Sequence, residues 1–372
     1  MDLNKEDQHR LQCFLASIES YNQACLGYPS AKDFDFSSLK DFLHFPLNNV
    51  GDPFMGSTYK VGSREFEREV LEFMATLFRA PEGNWWGYVT NGSTEGNLYG
   101  LYLARELYPE GIVYFSQDTH YSVTKNVHFL NMRHIMIRSQ SHGEMDYEDL
   151  QETLKIHRDV PAIIFANIGT TMKEAKDDVR RIREIIDDLA MVNSYIHSDA
   201  ALCGFIAPFV EPREAFDFAD GADSIAVSGH KFLGSPIPSG IVLARKENVD
   251  RIARSIAYIG TMDTTITGSR NGLTPLMLWH AVKTMGMEGI RDRVRHSLEL
   301  AEYTEQKLKE KGVAAWRNPN AITVLFPRPG KDIQNKWQLA SSGELAHIIA
   351  MPGTERDVLD SFIADITSEQ GG

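Results

Sequence analysis

Short apolar runs alternate with stretches of helical periodicity between Trp86 and about Arg245. Strands of a parallel sheet are buried on both faces and are joined by crossover helices, so this alternation is typical of such a sheet. The runs that predict strands are Ile112 to Phe115, His134 to Ile137, Ala162 to Ala166, Tyr195 to Ile196, Ser224 to Val227 and Ile241 to Ala244. We therefore predict an α/β fold with a mostly parallel sheet that helices cover on both faces.

The regions on either side of this pattern are mainly helical. Before it, helices are predicted to about Phe45, closed by Gly27-Tyr28-Pro29, and a further helix is predicted from Glu65. After residue 272, helical periodicity continues to Lys311 with breaks near Gly286 and Gly289. The helix from Glu65 has one apolar face, which is expected to pack into the core. The residues of that face are Val70, Phe73, Met74 and Leu77.

A smaller α+β unit is predicted to close the chain. Its predicted strands are Ala321 to Phe326 and His347 to Met351. Thr354 to Asp357 matches a capping box, so the last helix is expected to begin there. Together these patterns predict an N-terminal helical and loop segment (residues 1–60), a large α/β domain (residues 61–272) and a small C-terminal α+β domain (residues 273–372).

Composition and charge exclude several classes of partner. The chain has 38 basic and 51 acidic side chains, a net charge of −13, so we expect neither nucleic acid nor an anionic membrane as a partner. The first residues are charged, and no apolar run approaches the ~18 residues of a membrane-spanning helix. Cys13, Cys25 and Cys203 are scattered, which fits a reducing compartment. We therefore expect a cytoplasmic protein, and we predict no metal site because no Cys/His cluster or H-E-x-x-H motif occurs.

One lysine is a candidate for covalent chemistry. Lys231 follows the apolar run Ile225 to Val227 and closes the segment Ser228-Gly229-His230-Lys231. A partly desolvated lysine can form a Schiff base with an aldehyde cofactor, although a lone loop lysine is more often a solvated surface charge. The candidate gains weight from Asp199, about thirty residues upstream, because a carboxylate there could keep a cofactor's pyridine nitrogen protonated.

A third segment has the character of a phosphate-binding loop. Thr90 to Asn97 contains glycine, serine and threonine immediately before residues at helical spacing. Free N–H groups at a helix start bind anions, although a plain helix cap would explain Ser93 or Thr94 equally well. Neither a P-loop nor a G-x-G-x-x-G fingerprint occurs in the chain.

The three sites follow one another along the chain in the order phosphate loop, aspartate, lysine. In this order the chain resembles the fold-type I enzymes that depend on pyridoxal 5′-phosphate (PLP), and most closely the group II amino-acid decarboxylases. Within that group it is similar to bacterial histidine decarboxylases and plant serine decarboxylases. The segments that carry this likeness are Asn48 to Phe54, Trp86 to Gly92, Asp118 to Val123, Asn167 to Thr171 and Gly268 to Gly272.

The resemblance implies a role for each matching position. Lys231 would be the Schiff-base lysine, Asp199 the partner of the pyridine nitrogen, and His120 the histidine stacked on one ring face. Ala201 would press on the opposite face, and Thr171 would contact the ring. The phosphate would be held by Gly92, Ser93, Thr94, Ser228 and His230.

The resemblance also implies how substrate and subunits meet. Tyr258, on a mobile loop with Gly260 close by, would protonate the substrate Cα, while Tyr59 and His120 would lie near the substrate. Because that loop reaches the neighbouring subunit's site in the family, a homodimer with shared sites, or a higher homo-oligomer, is expected.

The expected reaction is decarboxylation of an L-amino acid to its amine and carbon dioxide. Histidine is the first expected substrate because the chain is as compact as the bacterial enzymes. Serine is the alternative, favoured by Gly51 to Phe54 and by Trp337 to Ala340, which are closer to the plant enzymes. An aminotransferase would reuse the same lysine and aspartate, but it would normally need an arginine for the substrate carboxylate and is less favoured. A non-catalytic scaffold that kept the fold is disfavoured because every expected chemical position is filled.

Overall fold

The computed structural model describes residues 3–252, 254–256 and 261–370. They fall into two compact units, residues 33–295 and residues 1–32 combined with 296–372. These bounds differ from the predicted division at residues 60 and 272, which stays a prediction. In the described part of the chain, no helix is both long and apolar enough to cross a membrane.

Helices surround the sheets of both units. The α-helices are α1 (Lys5–Gln23), α2 (Arg64–Leu77), α3 (Ser93–Leu107), α4 (Ser122–Phe129), α5 (Tyr147–Ile156), α6 (Val179–Asp188), α7 (Lys246–Asp250), α8 (Leu273–Glu310), α9 (Lys331–Trp337) and α10 (Arg356–Gln370). Short 3-10 helices span Ser37–His44, Cys203–Phe205, Ala207–Phe209 and Phe218–Asp220. The predicted break in α8 lies at Gly286, whose φ of 61° is not helical, and no such break occurs at Gly289.

The strands form a large sheet and two small ones. The strands are β1 (Trp86–Thr90), β2 (Ile112–Ser116), β3 (Arg133–Ile137), β4 (Ala162–Asn167), β5 (Ser194–Asp199), β6 (Ser224–Ser228), β7 (Gly240–Ala244), β8 (Arg254–Ile256), β9 (Thr261–Asp263), β10 (Thr323–Pro327), β11 (Ala340–Ser342) and β12 (Leu345–Ile349). The large sheet has the order β1-β7-β6-β5-β4-β2-β3, and β8 pairs with β9.

The large sheet confirms the predicted fold class. Strands β2 to β6 pair in parallel, and β7 alone runs antiparallel to its neighbours β1 and β6. Residues of the central strands, such as Ile163 and Phe165, are fully buried because helices cover both faces. Strand β1 was not among the predicted strands, since glycine at position 87 interrupts its apolar pattern.

The smaller unit contains the antiparallel sheet β10-β12-β11. Its core includes Val324, Phe326, Trp337 and Phe362. Two of its three strands were predicted with bounds displaced by about two residues. Helix α9 and strand β11 were not predicted, because α9 has the largely polar sequence KDIQNKW.

Candidate active site

The turn at Gly92, Asp199 and Lys231 lie at one edge of the large sheet, where its parallel strands have their carboxyl ends. Strand β5 ends at Asp199, and β6 ends at Ser228, three residues before Lys231. Thr90 at the end of β1 and Ser228 both lie opposite Gly240 of β7. The three candidate segments of the sequence therefore converge at the usual ligand position of an open α/β sheet.

Lys231 is a half-buried amine within electrostatic range of Asp199. Burial lowers the pKa of the Lys231 ammonium, and the negative charge of Asp199 partly opposes this shift. A lower pKa leaves more of the lysine as the neutral amine, which is its nucleophilic form. The environment therefore suits a lysine that attacks an aldehyde.

Asp199 is a buried carboxyl group, 7% exposed, whose two oxygens are held separately. Its Oδ2 accepts a hydrogen bond from Asn97 Nδ2 at 2.8 Å, and its Oδ1 accepts one from the backbone N–H of Ala201 at 3.1 Å. Burial raises the pKa of Asp199, while Lys231 and these two donors lower it. Each oxygen retains a lone pair for a further donor, such as a protonated ring nitrogen.

The turn before α3 has the geometry of an anion site. Gly92 has a φ of 135°, which favours glycine, and Ser93 begins the helix. Among the described residues, no side chain caps this helix start, so the N–H groups of its first residues are available to a ligand. Ser93 Oγ lies 2.6 Å from Ser228 Oγ, and a Cβ added at Gly92 would lie 3.8 Å from His230 Cε1. The turn therefore meets both ends of the segment that leads to Lys231.

The surroundings of this turn fit the phosphate of PLP. His230 Nδ1 lies 2.8 Å from the carbonyl oxygen of Ser239 and 3.2 Å from its backbone nitrogen, and these contacts fix the ring next to the helix start. The hydroxyl of Ser239 is buried and has no partner among the described residues. An uncapped helix start, a glycine without a side chain at position 92 and an orphaned buried hydroxyl are together what an anionic group with several acceptor oxygens would satisfy.

His120 lies four residues beyond the end of β2, within electrostatic range of Asp199 and Lys231. Burial is the main cause that lowers the pKa of His120, and Asp199 opposes it. Its Nδ1 accepts from the backbone N–H of Ser122 at 3.3 Å and lies 2.8 Å from Ser122 Oγ. Because Nδ1 accepts, the neutral ring carries its proton on Nε2.

The remaining predicted residues are less closely tied to this site. Ala201 is half-buried just beyond the end of β5, and Thr171 is exposed in the turn that follows β4. Tyr59 donates its hydroxyl to the carbonyl oxygen of Pro46 at 3.3 Å, and no hydrogen bond joins it to the lysine or the aspartate. Tyr258 lies outside the described residues, so its predicted role stays a prediction.

Sequence reasoning missed two buried amides that support the site. Asn97 bonds Asp199, and Asn167 Nδ2 donates to Thr119 Oγ1 at 3.0 Å, next to His120. Asn97 had a detectable signal, because it lies four residues after Ser93 and so on the same face of α3. The contact of Asn167 with Thr119 spans two strands and had no local signal.

Two of the segments that carry the family resemblance are connected by hydrogen bonds around a buried ion pair. Arg270 pairs with Glu67, and both side chains are at most 2% exposed. Glu67 also accepts from Asn49 Nδ2 at 2.7 Å, and Arg270 donates to the carbonyl oxygen of Gly51 at 2.9 Å. The segments around residues 50 and 270 are therefore held together by one polar network, which explains their residue types structurally.

Replacing Arg270 with methionine is expected to lower the free energy of unfolding by about 3–5 kcal/mol, because Glu67 would be left buried without its cation. Urea unfolding followed by circular dichroism measures this loss. Arg295→Met is the control, since Arg295 is exposed and pairs with an exposed carboxylate, and it should change little. Equal stability of the two variants would contradict a structural role for the buried pair.

Comparisons with known proteins identify the family of the chain. The family profile of the pyridoxal-dependent decarboxylase conserved domain matches residues 58–317. The chain is 51% identical to the histidine decarboxylase of Mesorhizobium japonicum, covering 98% of this chain and 99% of the relative. It is 46% identical to the histidine decarboxylase of Morganella morganii, covering 99% and 98%.

A solved structure extends the likeness to the whole fold. L-methionine decarboxylase from Streptomyces sp. 590 superposes with a TM-score of 0.90 at 26% identity, over 99% of this chain and 96% of that one. The agreement covers nearly the full length in both sequence and structure. The chain belongs to the pyridoxal-dependent decarboxylase family, whose cofactor is PLP.

Proposed function

We propose that this chain converts L-histidine to histamine and carbon dioxide. The observation that carries the proposal is the 51% and 46% identity, over almost the entire chain, to relatives named histidine decarboxylase. The convergence of Asp199, Lys231 and the turn at Gly92 on one sheet edge supports it, because these groups suit a PLP-dependent reaction.

When bound, PLP supplies an aldehyde for the lysine and a ring that accepts the electron pair released as carbon dioxide leaves. Lys231 would hold the cofactor covalently, and Asp199 would keep its ring nitrogen protonated. The resemblance implies that His120 and Ala201 would flank the ring and that Thr171 would contact it. The phosphate would be bound by Gly92, Ser93, Thr94, Ser228 and His230.

Two tyrosines complete the proposal on the substrate side. Tyr258 delivers the proton to the substrate Cα, as the family resemblance implies. Tyr59 contributes to the substrate pocket together with His120, whose Nε2–H offers a donor. A phenol can bond an imidazole nitrogen or a small hydroxyl, so Tyr59 alone does not choose between histidine and serine.

We also propose a cytoplasmic homodimer. Helix α1 has no buried residue and exposes a row of large apolar side chains, a surface typical of protein interfaces. These side chains are Leu11, Phe14, Leu15, Ile18 and Tyr21. The described cysteines are all free thiols, which supports a reducing compartment.

Charging the exposed face of α1 is expected to weaken this dimer. Phe14→Glu combined with Ile18→Glu places two carboxylates on that face, which disfavours burial against a second copy. Light scattering after size exclusion should report a dimer for the unmodified chain and a monomer for the variant. The exposed Glu19→Gln is the control. A monomeric unmodified chain, or a variant that stays fully dimeric, would contradict this role of α1, and a stable mass of four chains would establish a higher oligomer.

A panel of L-amino acids, with products identified by mass spectrometry, tests the proposed substrate. We expect histamine from histidine at a kcat/KM at least about 100-fold above that for serine, because a polar pocket strongly rejects a ligand that leaves its groups unpaired. If ethanolamine is the preferred product, the substrate is serine and not histidine. Stoichiometric consumption of added 2-oxoglutarate would show an aminotransferase instead.

A further inference from the structure

A buried chain of hydrogen bonds extends from Asp199 into the core behind the site. Asn97 Nδ2 donates to Asp199 Oδ2 at 2.8 Å, and Asn97 Oδ1 lies 2.9 Å from His197 Nε2. His197 Nδ1 lies 2.7 Å from Ser224 Oγ. Asn97, His197 and Ser224 are all at most 2% exposed, so this series of hydrogen bonds is shielded from water along its length.

The carboxylate at one end fixes the direction of every bond. An ionised Asp199 only accepts, so Asn97 must present its amide N–H₂ to it and its carbonyl oxygen to His197. His197 must then carry its proton on Nε2, which leaves Nδ1 to accept from the hydroxyl of Ser224. Burial lowers the pKa of His197 to about 3, so the ring is neutral, as this arrangement requires.

The core is shaped to keep the His197 ring in this position. Gly100 lies in the middle of α3, where glycine costs roughly 1 kcal/mol relative to alanine. A Cβ at Gly100 would lie 2.2 Å from His197 Nδ1 and 2.5 Å from Cε1, which is closer than any real contact. Helix α3 therefore contains a residue that lowers its stability at the position where the His197 imidazole packs against it.

We propose that His197 is a positioning residue that acts through Asn97 to orient Asp199 toward the ring nitrogen of PLP. The inference deepens the proposed function, since it concerns the same cofactor site. An Asn97 side chain held at its carbonyl by His197 cannot rotate away from Asp199. Successive donors along the chain also polarise one another, which strengthens the last bond to the carboxylate.

The alternative is that His197 only fills the core. A core residue contributes to stability, whereas a positioning residue also changes the electronic state of the cofactor. His197→Phe keeps the ring volume and removes both hydrogen bonds. His197→Gln retains an amide N–H₂ for Asn97 and a carbonyl oxygen for Ser224. His347→Phe, at a buried histidine of the other compact unit, is the matched control for loss of stability.

The test uses the PLP-loaded enzyme and follows kcat, KM, and the pH dependence of the cofactor's visible absorption. For His197→Phe we expect kcat to fall about tenfold with little change in KM, because Asp199 acts on the ring and not on substrate binding. The midpoint of the absorption change with pH should shift as well. His197→Gln should recover kcat to within about threefold and restore the midpoint. His347→Phe should lower the melting temperature without either change.

Two results would overturn the proposal. One is a His197→Phe enzyme whose kcat and absorption midpoint match the unmodified enzyme, and the other is a His197→Gln enzyme as impaired as His197→Phe. If His197→Phe does not fold, Ser224→Ala, which removes one hydroxyl, replaces it in the test. This variant should shift the absorption midpoint in the direction expected for His197→Phe, but by less. An unshifted midpoint would contradict the proposal. The absorption readout needs no substrate, so it remains decisive even if histidine is not the substrate.

Discussion

Replacing Lys231 with alanine is expected to lower the rate of amine formation by about four orders of magnitude or more, because removing a catalytic group that acts covalently has effects of this size. The methyl group of alanine cannot bond the cofactor. Among the described lysines, only Lys231 lies three residues after the end of a strand at this edge of the sheet. Initial rates with histidine and the visible absorption of the purified protein measure the effect.

The fold should survive this change, since the residue lies in a loop and is only half-buried. Circular dichroism and the melting temperature of the variant should therefore stay close to those of the unmodified enzyme. Lys283→Ala, at an exposed lysine on α8, is the matched control and should retain both activity and absorption. Substantial decarboxylation by the Lys231 variant would assign the covalent role to a different residue.

Asp199→Asn is expected to lower kcat by about 100- to 1000-fold, the usual cost of removing one group that stabilises developing charge. The neutral amide cannot stabilise a protonated ring nitrogen, so the ring becomes a weaker electron acceptor. Asparagine keeps the size of aspartate, and its carbonyl oxygen can still accept from Asn97. The effect should therefore fall on kcat and not on folding.

Asp217→Asn is a suitable comparison, because Asp217 is also buried but pairs with Arg79 and Arg213 away from the proposed cofactor site. We expect that variant to lose stability while each folded, PLP-loaded molecule keeps its turnover. The two substitutions thus separate loss of stability from loss of ring electronics. Near-normal turnover of Asp199→Asn would remove the proposed role of that carboxylate.

Much of the fold was predictable because its physical signals are local. Strands such as β4 and β6 are continuous apolar runs, which is the mark of strands covered on both faces. The break at Gly286 was also visible, since glycine tolerates the positive φ found there. Strand β1 and helix α9 were missed because a glycine and a run of polar residues obscure their patterns, and tertiary packing determines both.

The site residues also differ in whether a local sequence signal reveals them. Lys231, Asp199 and the turn at Gly92 carry recognisable chemistry within a few residues, so each could be selected from the sequence. The contact of Asn97 with His197 joins residues 100 positions apart and depends on the register between α3 and β5. No local pattern encodes such a contact, which is why the support behind the carboxylate emerged only from the fold.

We expect Lys231 to bond the cofactor covalently, and borohydride reduction of the PLP-loaded enzyme examines this bond without depending on turnover. Reduction should fix a pyridoxyl group irreversibly, and peptide mass spectrometry should locate it on the peptide that contains Ser228 to Lys231. This lysine alone should be modified, with one pyridoxyl group for each site. A colourless protein with no pyridoxyl group at position 231, or with the group on another lysine, would contradict it.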